Sequence, residues 1–507
     1  MSQIILWLAV LSLVFYSLVR IYTFFSNIYS GIDLFLVFLL LLAEAHSIIH
    51  SLGFIISSVR LKKRGVNYHR KVDLDKRSLP SVTVLLPAKN EPLDVLELTF
   101  ISVSSLDYNN KEVVFLDGSD EKYTEKNKQL AEKYGITYYK HVVQTHSKAH
   151  SINIYLPKVQ TKYVSVFDAD QNPMPDFLLE TAAIAEFSGN IAFVQTPQLY
   201  TNLNISPVSY GAALQQSVFY ETVCESKSSV DAMFCCGTNF LMRTEVLKEV
   251  GGFDENSVTE DFASSVKIHA LGYRSVYFNH ARVFGMAPQD LQSYFKQQFR
   301  WAVGSTGVLR ELFSMGVKGQ LKLTFAQLWE YFLSATYYFT GWSFFILMIC
   351  PILYLLFRVP SYFANPYLYL AAFIPYYFMT MANFYVTMNR RSYKLKDIFT
   401  GIIMSSVSFP ILMKASVYGL FGIKTRFQIT NKSKWGVMGF WSLWPWNLMI
   451  FFAAAAIFYG ILTIKENPYA ISVNIAWCLY HIALLLNIYR FNKKPKSAKS
   501  SVLNYTK

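Results

Sequence analysis

Residues 81–92, Ser-Val-Thr-Val-Leu-Leu-Pro-Ala-Lys-Asn-Glu-Pro, decide the fold. Val82 to Leu86 make an unbroken run of the kind found in strands covered on both faces, and the polar turn that follows ends it. A stretch at about 93–106 reads as helix, and Val113-Val-Phe-Leu116 is a second buried-type strand that stops at Asp117-Gly-Ser-Asp120. Strand, helix, strand in this order predicts a parallel sheet, and such sheets bind ligands beyond the carboxyl ends of their strands. Glu91 and Asp117 both fall at those ends. One acid there is an ordinary helix cap; two at corresponding places favour a nucleotide pocket.

Further along, Val164-Ser-Val-Phe167 is a third strand, terminated by Asp168-Ala-Asp170, with Pro173 and Pro175 blocking its continuation. Alternate residues of an extended chain point the same way, so both carboxylates are expected to face one ion. Mg2+ or Mn2+ suits such oxygen donors and completes its shell with substrate phosphates. Ser257-Val-Thr-Glu-Asp261 opens a helical stretch over 262–268, with Thr259 or Asp261 as its expected cap. A carboxylate at a helix start has its charged form favoured, which suits a base that must be ionised at neutral pH. Downstream, Gln297-Gln-Phe-Arg-Trp301 adds a cation and an aromatic ring. The combined inventory is what transfer from a sugar nucleotide requires: carboxylates for a metal on a diphosphate, a base for the acceptor hydroxyl, and groups beside leaving group and sugar.

Outside this middle region the chain is apolar. Its 507 residues are 53% hydrophobic and 17% aromatic, which fits one domain of ordinary size plus a membrane bundle. Runs at 4–25 and 32–59 are long enough to cross a bilayer, as are those at about 328–357, 366–388, 443–464 and 470–490. The first has no basic leader or small-residue cleavage site and reads as a retained anchor. The net charge of +14 is unevenly placed. Arg60, Lys62, Lys63, Arg64, Arg70 and Lys71 follow the second run, and Arg490, Lys493, Lys494, Lys496 and Lys499 follow the last. By the positive-inside rule both ends of the bundle and the central domain are cytoplasmic. The run at 399–421 has basic residues on both sides: Arg390, Arg391, Lys394 and Lys396 before it, Lys424, Arg426, Lys432 and Lys434 after it. It is therefore expected to lie at the interface or re-enter, leaving six spans. Within the second run, Glu44, His46 and His50 must face a polar interior, as helix-packing hydrogen bonds or as the wall of a sugar channel. Five scattered cysteines form no disulfide framework or zinc spacing, and the basic patches suit lipid headgroups rather than nucleic acid.

With these motifs in order, the chain resembles membrane-embedded family-2 glycosyltransferases of the cellulose synthase type, relatives of hyaluronan and chitin synthases. The resemblance runs over most of 80–435: Pro87-Ala-Lys-Asn-Glu91, Asp117, His146-Ser-Lys148-Ala-His-Ser-Ile-Asn153, Phe167-Asp-Ala-Asp170, Val194-Gln-Thr-Pro197, Cys236-Gly-Thr-Asn239, Val258-Thr-Glu-Asp261, Gln297 to Trp301, and Phe427-Gln-Ile-Thr-Asn-Lys432. It implies a GT-A-like α/β domain with a mixed, mostly parallel sheet inserted in a helical transmembrane bundle. The divisions expected are 1–60 for two helices, 78–310 for the catalytic domain and 311–398 for an interface helix with two spans. After these come 399–440 for an interface or re-entrant helix with a gating loop, 441–490 for two spans and 491–507 for a tail.

The resemblance further implies that Glu91 and Asp117 contact the base and ribose region and that Lys148, Gln297 and Arg300 bind diphosphate. Asp168 serves nucleotide and metal, and Asp170 coordinates the Mg2+ or Mn2+ directly. Asp261 is the implied general base, with Glu260 beside it. Trp301, Cys236, Gly237 and Thr238 line the acceptor, and Phe427, Thr430 and Lys432 belong to the gating loop. Two departures fall on the base and ribose contacts: Leu116-Asp117 where the family often has two aspartates, and His150 in place of a usual glycine. The chain length leaves no room for a cyclic-dinucleotide-sensing barrel, so regulation by that ligand through this chain is not expected. The expected activity is processive, inverting transfer from UDP-glucose to a β-linked polysaccharide that crosses the plasma membrane, with any secretion partner unnamed. Alternatives are single-sugar transfer to a lipid or glycan, a channel with a vestigial domain, and a glycoside hydrolase using paired carboxylates.

Overall fold

The computed structural model describes residues 2–64, 71–75, 77–141, 147–255, 257–280, 282–361, 365–423 and 436–494. Its strands are β1 (Val82–Ala88), β2 (Lys111–Asp117), β3 (Thr137–Lys140), β4 (Tyr163–Val166), β5 (Asn172–Pro173), β6 (Ile191–Gln195), β7 (Leu199–Tyr200), β8 (Phe240–Arg243), β9 (Arg274–Tyr277) and β10 (Val283–Gly285). Seven of them form a sheet in the order β3-β2-β1-β4-β8-β6-β9, and β5-β10-β7 form a small second sheet. In the large sheet β8 alone runs antiparallel to its neighbours, so the mixed, mostly parallel sheet expected from the sequence is present.

The strand pleat explains the apolar runs. Val82, Val84 and Leu86 pack on one face with Phe100 and Phe115, while Leu85 packs on the other with Val114, Leu116 and Ile152. Each fully buried side chain of this size contributes about 1.5–3 kcal/mol. The helix between β1 and β2 spans Leu93–Ser104, and pairing of β1 with β2 continues to Ala88 opposite Asp117. The turns that follow these two strands are stitched together: Asn90, at φ +54°, donates its backbone N–H to Ser119 Oγ at 2.8 Å, and its side-chain oxygen accepts from Asp120 N at 2.9 Å.

Among the described residues, five helical segments are long and apolar enough to cross a membrane: Gln3–Phe25, Gly31–Leu61, Phe325–Phe357, Phe440–Leu462 and Pro468–Phe491. Pro366–Asn389, where the sequence predicts a further span, is a 24-residue helix whose hydropathy falls short of these five. Its polar groups explain the difference, since Tyr376, Asn383 and Thr387 meet Ser51 and Ser58 of the second helix at 3.3, 3.5 and 3.1 Å. The 399–421 run is two helices, Leu395–Val407 and Phe409–Phe421, bent by 57° at Ser408. The domain divisions also fall inside continuous helices: Leu291–Val317 carries straight through 310, because nothing in that stretch breaks it. Glu44 accepts from Tyr16 at 2.7 Å and pairs with Arg20, while His46 and His50 bond to Thr336 at 3.1 and 3.2 Å. These side chains spend their polar atoms between helices.

The sheet domain is bolted to the bundle by buried charge. Glu330, only 2% exposed, binds Arg60 and lies 3.1 Å from Lys227. Tyr210 donates to Asp397 at 2.5 Å, and Arg391 pairs with Glu225. Removing one member of such a group strands a buried charge, at a cost of about 3–5 kcal/mol.

Candidate active site

Lys148 is the first residue of the helix Lys148–Tyr155, whose start is capped by Ser147. Its ammonium pairs with the Asp168 carboxylate after β4 and donates to Gly237 O at 2.6 Å. Asp168 N in turn donates to Thr238 Oγ1 at 3.0 Å. Residues nearly ninety positions apart are thereby tied into one knot. Gln195 at the end of β6 shapes the other side of it: its side chain accepts from Cys236 N at 2.9 Å and donates to Thr238 O at 2.8 Å. The sequence places Gln195 in the Val194–Pro197 motif without pointing to a role for it; its position at the buried end of an apolar strand was the available signal.

Gly237 sits at φ +80°, and a Cβ there would lie 2.8 Å from Asp261 Oδ2. The 236–239 turn therefore lies directly against the carboxylate at the start of the helix Glu260–Ala270. Asp261 Oδ1 accepts from Phe262 N at 2.8 Å, leaving Oδ2 toward the turn. The expected cap from Thr259 is not made, and Thr259 Oγ1 is buried without a partner. Its side chain is wedged against Gly304, where a Cβ would come within 2.2 Å of the methyl group. That contact sets the helix Leu291–Val317 against the carboxylate pair.

The helix start does not hold Asp261 in the ordinary aspartate range. Burial, followed by the neighbouring Glu260 charge, pushes Asp261 up to about 7, outweighing the Phe262 N–H and Lys148. Glu260 is raised as well, by burial above all, against the pull of Lys148 and Arg300. Burial of these two carboxylates, with the Glu260 charge adding to it at Asp261, outweighs the attraction of the helix end. Burial opposes the charge on Lys148, but Asp168 and then Glu260 hold its pKa above the ordinary lysine value.

The pleat argument for Asp168 and Asp170 also fails, because β4 ends at Val166 and the chain turns at Ala169-Asp170. Asp168 is drawn to Lys148, whereas Asp170 acts on Tyr200 together with Gln297, Gln216 and Arg300. No cluster of three His, Cys, Asp or Glu side chains able to hold a metal occurs among the described residues. One or two carboxylates completed by ligand oxygens is the donor set that suits Mg2+ on a diphosphate, and Mn2+ shares it. The residues fit an ion carried in with such a ligand.

Gln297, Arg300 and Trp301 occupy positions i, i+3 and i+4 of the helix Leu291–Val317 and so share a face. Arg300 also acts on Glu260, which joins this face to the base. Asp117 stands apart. It is fully buried, and its oxygens accept from Ser119 N at 2.8 Å, Tyr138 at 2.8 Å and Asn127 at 3.2 Å. Burial works to raise its pKa, yet the Ser119, Tyr138 and Asn127 bonds prevail and hold it below the usual carboxylate range. These bonds make its carboxylate the organiser of the turn that follows β2. Glu91 lies half-buried at the stitched turn after β1. Phe427, Thr430 and Lys432 lie outside the described residues.

A parallel sheet with its acids and lysine gathered at strand ends, a carboxylate pair across from them and long apolar helices alongside define a nucleotide-sugar transferase architecture. Residues 163–386 match the family described as Glycosyl transferase family group 2. The cellulose synthase catalytic subunit [UDP-forming] of Pseudomonas fluorescens is 23% identical over 475 residues, covering 89% of this chain and 61% of its own length. A UDP-forming cellulose synthase catalytic subunit of Dictyostelium discoideum is 37% identical over 183 residues, 35% of this chain and 17% of the relative. The chain thus spans at most about three fifths of these relatives. A solved mannosyltransferase from Pyrobaculum calidifontis, in complex with GDP-Man and Mn2+, superposes with a TM-score of 0.50 at 18% identity, covering 76% of this chain and all of its own, which establishes the shared fold. Residues 163–386 thus carry a family-2 glycosyltransferase domain, in a chain similar to cellulose synthase catalytic subunits.

Proposed function

We propose that the protein is a processive, inverting transferase that extends a β-linked glucan from UDP-glucose and passes the product through its own helices. One observation carries this reading: the Glu260–Asp261 pair faces the Gly237 turn that is tied to Lys148 and Asp168. Asp261, ionised, takes the proton of the acceptor hydroxyl as that oxygen attacks the anomeric carbon from the side opposite the diphosphate. The bond to the departing diphosphate breaks, and Lys148 and Arg300 meet its growing negative charge. Asp170 with Asp168 would hold Mg2+ or Mn2+, which when bound would supply positive charge to offset that on the leaving group. Trp301 offers an apolar face on which each new terminal sugar stacks without a demand for one hydroxyl pattern.

The orientation that suits this reading places the catalytic domain and both termini in the cytoplasm at the plasma membrane, with the bent pair Leu395–Phe421 on the cytoplasmic side. The relatives' UDP-forming activity supports the choice of donor. Purified protein in proteoliposomes, given radiolabelled UDP-glucose and Mg2+, is expected to release UDP and to form a long product that β-glucanase digests. A product one sugar longer than its acceptor would make the enzyme non-processive, and absence of UDP release would refute transfer.

A further inference from the structure

His141 follows β3 and is 7% exposed, yet neither ring nitrogen has a hydrogen-bond partner among the described residues. The buried imidazole of His269, 1% exposed, is by contrast satisfied on both nitrogens, bonding to Tyr331 and Ser275 at 2.6 and 2.9 Å. An unpaired buried polar ring is costly and calls for an explanation. Its surroundings point to a ligand. Its backbone N–H donates to Asp117 O at 3.3 Å, its ring lies stacked on Tyr139, and the charged or titratable groups acting on it are His150, Asp117, Lys140 and Lys89. These come from β3, β2, the helix Lys148–Tyr155 and the turn after β1, all at the carboxyl end of the sheet.

Strand order gives the direction. In β3-β2-β1-β4 the diphosphate groups Lys148 and Asp168 cluster at β4, so a nucleoside running away from them along the strand ends reaches β2 and β3. Resting on the transferase reading above, we propose that His141 hydrogen-bonds the pyrimidine base of the donor and is a specificity-determining residue for it. Burial, then His150, favours the neutral ring. A neutral imidazole presents one donor and one acceptor, which matches the imide N–H and carbonyl of uracil. A ribose diol calls instead for a carboxylate, as in other strand-end nucleotide sites.

The test is binding of UDP, 2′-deoxy-UDP and inorganic pyrophosphate, each with Mg2+, to the full chain and to His141→Leu and His141→Gln, with thermal unfolding measured alongside. His141→Leu is expected to weaken UDP and 2′-deoxy-UDP by about 10–100-fold, the effect of losing one buried hydrogen-bonding group, and to leave pyrophosphate unchanged. The unfolding temperature is expected to stay level or rise, because an unpaired polar ring has been removed. His141→Gln, which keeps a donor and an acceptor, is expected to recover part of the UDP affinity. Equal UDP binding by wild type and both variants would overturn the proposal, as would a parallel loss for pyrophosphate or an effect confined to the 2′-hydroxyl. Failure of the wild type itself to bind UDP would instead refute the transferase reading.

Discussion

The shared titration of Glu260 and Asp261 makes the pH dependence of kcat/KM the most exposed consequence of this site. That quantity reports the free enzyme. With Asp261 pushed up to about 7, the rate should fall on the acid side of neutrality rather than near the ordinary aspartate range. Two pH units below that midpoint only about 1% of the base is ionised, so kcat/KM at pH 5 should be about 10²-fold below its plateau. Burial is the first cause of the shift and Glu260 the second. Glu260→Gln should therefore move the acid limb to lower pH while leaving it above an exposed aspartate. Asp261→Asn should abolish the limb and lower the plateau by about 10²–10⁴-fold, with UDP binding preserved. The stability sign is opposite to that of a salt-bridged acid. A raised folded pKa means the native state holds a proton that the unfolded chain has lost, so stability falls as pH rises toward about 7 and is not regained above it. Asp261→Asn should accordingly match or exceed wild type in unfolding temperature at pH 8. Initial rates of UDP release from pH 5 to 9, with calorimetric unfolding, check all of this. A wild-type limb near pH 4, or one that Glu260→Gln leaves in place, would refute the argument.

Gly237→Ala should cost about 1–2 kcal/mol in backbone strain at φ +80° and displace Asp261 Oδ2, lowering kcat by about 10²-fold; circular-dichroism melts and initial rates separate the two effects. Asp170→Ala should weaken Mg2+-dependent UDP binding and leave metal-free binding unchanged, and unaltered affinity in both conditions would count against its role as a ligand. Trp301→Ala should shorten the product more than it weakens donor binding, read on a gel beside a UDP titration; equal losses would make the ring structural. A single cysteine at Ser392, between Pro366–Asn389 and the bent pair, should label only from the cytoplasmic face, and labelling from outside would invert the proposed topology.

Local chemistry sufficed to read the sheet and the motif order. Val82–Leu86 and Val113–Leu116 are strands in any context that buries both faces, and Asp117, Asp168 and Glu260-Asp261 stand where the apolar runs stop. That much is legible because strand period and turn residues act over a few positions. What those acids do was decided by contacts across long stretches of chain. Asp117 is bonded by Tyr138 and Asn127, Asp168 is captured by Lys148, and Asp261 is pushed up to about 7 by burial and then by Glu260 beside it. Pro366–Asn389 has the length of a span, and only its docking against the second helix shows where its polar side chains go. His141 gave no sign at all along the chain. A missing partner is a property of packing, and packing is settled by which strands the fold sets side by side.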